Sequence, residues 1–293
     1  MSSASDIASR GPASPLERAL RRDGVIVVAG LAALWAATAT IAVSGAGLGM
    51  DAWEMTRMAW LPSHHAAPRG DMDGMDMRYA FAPWTPARVA LLVAMWWTMM
   101  IAMMTPSATP TALLYARVHR HAAARGGVAA ATAPTGVFVA GYRLAWGAFS
   151  VVAAALQVAL QAGGVLSAMT MGLSDRVVAG AVLVAAGAYQ FSPWKDACLA
   201  QCRSPAAFLA RWWRPGTGAA LRLGARHGAW CLGCCAPLMA LLFVGGVMNL
   251  AWIAALTALV VAEKWMPGGR VLGRIAGAAL LAWGGVLLAG FGG

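Results

Sequence analysis

The sequence predicts an all-α fold, a polytopic transmembrane helical bundle of about seven spans, and three observations predict it. The 293-residue chain is 60% hydrophobic, with a mean hydropathy of +0.65, and only 11% of its residues are charged. A soluble domain of that length needs a more polar exterior to cover its apolar interior. Residues 24–46 run for 23 positions without a charged side chain, longer than the roughly 20 residues that cross a hydrocarbon core of about 30 Å. The apolar runs are also continuous rather than alternating, which excludes the strands of an outer-membrane barrel.

Taken in order, residues 1–23 carry scattered Ser, Pro and Arg and read as a disordered cytoplasmic tail. Residues 24–293 then form a single transmembrane helical domain. Its first run, 24–46, exceeds a secretory h-region of about 7–15 residues and reads as a retained anchor. An extracytoplasmic loop follows at 47–86. Further apolar runs lie at 87–105, 136–160, 176–191, 229–247, 249–262 and 271–291. The runs at 176–191 and 249–262 are short for a full crossing. In "MMTPSATPTALL", Pro106 and Pro110 are expected to end the second span and turn the chain. Asn249 is expected to cap the run after "FVGGVM".

Lys and Arg set the orientation. Segments 1–23, 106–135, 192–228 and 264–274 hold four, three, six and three of them, whereas 47–86 and 161–174 hold three and none. That asymmetry places the N-terminus in the cytoplasm. It also accounts for the net charge of +11 without nucleic acid, because the basic residues fall in short loops between apolar runs. "GAGLG" at 45–49 follows a membrane span rather than a strand, so it carries no nucleotide-binding meaning.

The five cysteines occupy two places. In "YQFSPWKDACLAQCRSP", Cys198 and Cys202 lie one helical turn apart, flanked by Lys195 and Arg203. In "RHGAWCLGCCAPLM", His227, Cys231, Cys235 and Met239 are spaced four apart and form one slowly winding stripe, which Cys234 joins by a step of three. Thiolate, imidazole and thioether donors favour Cu(I), Zn or iron–sulfur chemistry over Mg or Ca. Neighbouring cations favour the thiolate form that such binding requires. Packing is the plain alternative for buried cysteines. "CLGC" also has the spacing of a redox motif, which leaves thiol exchange open. A structural disulfide fits poorly with the reducing cytoplasmic face.

The second run carries a Met stripe, with Met95, Met99 and Met103 in one row beside Met100 and Met104. It reads either as core packing or as a thioether path for a soft cation. The 47–86 loop holds six Met, the His64–His65 pair and Asp71, Asp73 and Asp76, a composition suited to copper capture. Glu263 and Lys264 close the sixth run. A carboxylate there is costly unless paired or functional, and Lys264 is its expected partner.

"WTMMIAMMTPS", "YQFSPWKDACLAQCRSP", "HGAWCLGCCAPLMALLFVGGVMNLAW" and "VVAEKW" together resemble the bacterial family of unknown function described as predicted metal-binding integral membrane proteins. The resemblance covers residues 85–265. It implies that Met99, Met100, Met103, Met104, Tyr189, Gln190, Pro193, Lys195, Cys198, Cys202, His227, Cys231, Cys234, Cys235, Met248, Asn249, Glu263 and Lys264 belong to the shared pattern.

The expectation is therefore a soft-metal handling protein of the bacterial inner membrane. A transition metal, Cu(I) before Zn, would be held by Cys198, Cys202, Cys231, Cys234 and Cys235 with His227. Met99, Met103 and Met104 would form the approach, with Glu263 nearby. Its partners would be the bilayer, the metal ion and a periplasmic metal-delivery protein. The competing class is an enzyme, either a membrane thiol oxidoreductase or a metal-centred one.

Overall fold

The computed structural model describes residues 15–44, 56, 84–124, 133–167 and 171–290. Among them the chain forms ten helices: α1 (Pro15–Val43), α2 (Pro86–Ala124), α3 (Ala133–Ala162), α4 (Arg176–Tyr189), α5 (Pro193–Arg203), α6 (Pro205–Trp212), α7 (Thr217–Ala240), α8 (Leu242–Gly245), α9 (Leu250–Trp265) and α10 (Gly269–Leu288). The only β pairing there is an isolated antiparallel bridge between Leu166 and Leu173. Helix α1 begins inside the segment expected as a tail. Of the Met/His-rich loop, only Thr56 and residues 84–86 are described, so its six Met, its two His and Asp71, Asp73 and Asp76 lie outside the described residues. Thr56 accepts a hydrogen bond from the Leu250 N–H at the start of α9, at 2.8 Å.

Among the described residues, four helical segments are long and apolar enough to cross a membrane: Pro86–Ala123, Thr135–Ala162, Thr217–Gly245 and Gly269–Leu288. The bent pair α4–α5 makes a fifth if it is one broken span, its two axes 63° apart. Of the other expected runs, the first contributes the shorter apolar helix Val27–Ile41, and the sixth is α9, of 16 residues. The break after α4 has a local cause. Pro193 has no N–H to continue a helix and holds Ser192 extended, while the Ser192 side chain accepts from the Trp194 N–H and starts α5 afresh. Asp175 and Asn249 cap α4 and α9 in the same way, Asn249 as expected.

Pro106 and Pro110 do not turn the chain. Helix α2 runs through both for 39 residues. The hydroxyls of Thr105, Ser107 and Thr109 donate to the carbonyls of Ile101, Met104 and Thr105. Those bonds go to carbonyls other than the two that the prolines leave without an N–H partner, Ala102 and Pro106, and the helix continues through both, as helices in apolar surroundings can.

The most extensive packing sets α3 against α7, followed by α4 against α10. Small residues permit the approach in both cases. A Cβ on Gly228 of α7 would stand 2.6 Å from the Ala145 Cβ and 2.9 Å from the Tyr142 carbonyl of α3; one on Gly187 of α4 would stand 2.9 Å from the Gly277 carbonyl of α10. A single large core joins α2, α3, α4, α5, α7 and α9, with Trp96, Trp146, five Met of α2 and four Cys at its centre. Within it the Trp96 indole donates to Gln157 at 2.7 Å. Gly228→Val should therefore cost about 1–3 kcal/mol by overpacking and lower the thermal unfolding midpoint in detergent. Gly218→Ala, with open space around its Cβ, should leave the midpoint unchanged or raise it.

Candidate metal centre

The two cysteine groups meet. Helix α5 lies along the middle of α7, and the Cys202 Sγ stands 4.0 Å from the Cys234 Sγ, 32 residues away in sequence. The Cys234 Sγ is 3.2 Å from the Cys235 Sγ and 3.2 Å from the Cys231 carbonyl. The Cys231 thiol is buried in the same core as those of Cys202, Cys234 and Cys235. All four are buried, whereas Cys198 is half-buried. Cys198 lies over Gly233, where a Cβ would stand 2.5 Å from its sulfur. All five thiols are free.

Cys231 is also held from two other helices. Lys264 of α9 donates to its sulfur at 3.0 Å and to the Ser107 hydroxyl of α2 at 3.1 Å. The Tyr142 hydroxyl of α3 lies 3.1 Å from the same sulfur and reaches the Met104 carbonyl at 3.4 Å. Five helices thus converge on one sulfur-rich point. The sulfurs are closed on one another rather than splayed around a common centre. Among the described residues, no three His, Cys, Asp or Glu side chains stand as a ready ligand set.

Beside the thiols lies a second buried polar group. Glu263 does not pair with Lys264, as the sequence suggested. Successive residues on a helix point about 100° apart, so Glu263 faces α5 while Lys264 faces the cysteines. Both Glu263 oxygens accept from Lys195, at 2.7 and 2.9 Å, with the two side chains 1% and 3% exposed. Gln190 accepts from the same ammonium. Arg203 donates to the Glu263 and Pro267 carbonyls at 2.6 and 3.0 Å, capping the end of α9 as a cation does at a helix C-terminus.

His227 lies one turn before Cys231, its ring among Phe138, Tyr142 and Phe208 at centroid distances of 6.1, 5.6 and 5.2 Å. Its Nδ1 has no hydrogen-bond partner among the described residues. Met99, Met103 and Met104 are buried in the same core as the four inner cysteines. Sequence reasoning missed Tyr142 and Ser107. Ser107 stands between Thr105 and Thr109 and Tyr142 beside Arg143, so neither stands out by pattern among the polar residues of its helix.

Glu263→Gln would strand the Lys195 ammonium in the interior, a loss of about 3–5 kcal/mol for a broken buried pair. A marked fall in unfolding midpoint is expected, and Lys195→Met in the same chain should restore part of it.

No curated protein matches the sequence. No solved structure matches the fold. A family model described as "PpoB2: Copper chaperone" matches residues 93–287, which takes in the Met stripe, both cysteine groups, Tyr142, Glu263 and Lys264. By that match over more than half its length, the chain belongs to the PpoB2 copper-chaperone family.

Proposed function

We propose that this chain is an integral membrane copper-handling protein that binds Cu(I) on the thiolates of Cys202, Cys231, Cys234 and Cys235. The observation that carries the reading is the 4.0 Å approach of Cys202 to Cys234 across two helices. Two metal–sulfur bonds of about 2.3 Å can bridge at most about 4.6 Å, so one ion can join the two helices. Soft thiolate donors suit Cu(I), and copper is the metal of the family.

Charge supports the same metal. A Cu(I) ion on two thiolates carries a net negative charge. Lys264, 3.0 Å from Cys231, is placed to offset it within a low-dielectric interior. Loading would move Lys264 off the sulfur while Ser107 retains it, and the bound thiols would release their protons. Met99, Met103 and Met104 would supply a thioether approach along α2, with Glu263 and Lys195 holding α5 and α9 in register beside the site. The setting in this reading is the bacterial inner membrane, with the N-terminus cytoplasmic and a periplasmic protein as the exchange partner.

Protein purified under reducing conditions and loaded with Cu(I) should hold near-stoichiometric copper. Cys202→Ser and Cys234→Ser should each weaken Cu(I) binding by well over the roughly 10–100-fold that losing an outer-shell partner costs, measured against a colorimetric Cu(I) chelator. Bound zinc in place of copper would change the metal. A reversible Cys231–Cys234 disulfide by thiol trapping, with no metal retained, would replace the reading with thiol exchange.

A further inference from the structure

Four arginines converge on one cavity away from the thiols. Arg211 and Arg214, at and just beyond the end of α6, face Arg222 and Arg226 on the opening turns of α7 across a space of about 350 Å³. Trp212, Ala219 and Leu223 complete the lining. Two of the guanidinium groups stack on the Trp212 ring, Arg226 at 3.9 Å and Arg211 at 4.9 Å from its centroid. All four arginines are exposed.

None of the four has a carboxylate within ion-pair distance among the described residues. Asp196 pairs instead with Arg270 and Arg274, and Glu263 with Lys195. Four like charges around one hollow repel each other, and stacking on a tryptophan orients guanidinium groups without neutralising them. Arginine forks match the oxygens of a phosphate, two bonds at a time. The cavity opens where α7 begins, and the exposed apolar Leu221 lies beside Arg222. The Trp212 indole lines the cavity, as aromatic side chains do at a bilayer interface.

We infer that the cavity lined by Arg211, Arg214, Arg222 and Arg226 binds the phosphate headgroup of an anionic phospholipid. Basic pockets between membrane helices are the recurrent setting for such headgroups. The lipid, not a soluble anion, is the occupant because the basic lining meets the exposed apolar side chain of Leu221, against which an acyl chain can lie. This inference rests on the membrane reading above but is independent of copper.

The full chain, reconstituted in vesicles of phosphatidylcholine with a minor share of phosphatidylglycerol, tests it by counting the lipids that remain bound after extraction into detergent. The wild type should retain phosphatidylglycerol in preference to phosphatidylcholine. Arg222→Gln with Arg226→Gln should reduce that preference roughly thirtyfold, as expected for two interfacial arginines, with Cu(I) stoichiometry unchanged. Equal retention of the two lipids by the wild type, or an undiminished preference in the variant, would overturn the proposal. So would full displacement of the lipid by millimolar inorganic phosphate, since the ligand would then be a soluble anion. Retention of neither lipid would remove the membrane reading along with it.

Discussion

An ammonium group cannot remain unpaired inside an apolar bundle, and the placement of Lys264 is governed by that constraint. Its donors reach Cys231 of α7 and Ser107 of α2, so one buried cation ties three helices together around the cysteines. Lys195 faces the same requirement one turn before Cys198 and meets it with Glu263 and Gln190. Because Glu263 and Lys264 are adjacent in the chain yet point to different sides of α9, that helix supplies the counter-ion of one cation and carries the other. The register of α5, α7 and α9 follows from these two pairings.

A second link comes from a missing hydrogen bond. Pro237 lies inside α7 and has no N–H to give the carbonyl four residues earlier, which is Gly233. That carbonyl accepts instead from the Tyr189 hydroxyl, at 2.6 Å. The bend between α4 and α5 is thereby held against the cysteine turn of α7, and Gly233 leaves room for Cys198 on the same spot. Gap and donor fit each other. The proline opens a backbone site only one residue from Cys234, and the last residue of α4 fills it.

The helical class and the pairing of Cys198 with Cys202 on one turn were legible in the sequence, because they depend on apolar periodicity and spacing alone. So was the cap at Asn249, a local matter of side chain and backbone. The prolines of α2 misled, since a helix in apolar surroundings can carry a proline in its interior without ending. The partner of Glu263 was also misassigned. Adjacency in sequence suggested Lys264, whereas helix geometry turns the two side chains apart and brings Lys195 from 68 residues away. Tyr142 and Ser107 could not be found by pattern, because each gains meaning only from what other helices place against it.

The five thiols are not equivalent in their access. Four are sealed within the core, and Cys198 alone retains partial exposure. It sits against Gly233, next to Cys234, at the margin of the cluster. A reagent or ion arriving from outside the helices encounters this partly exposed sulfur before the four that the core covers, which makes Cys198 the threshold of the cluster.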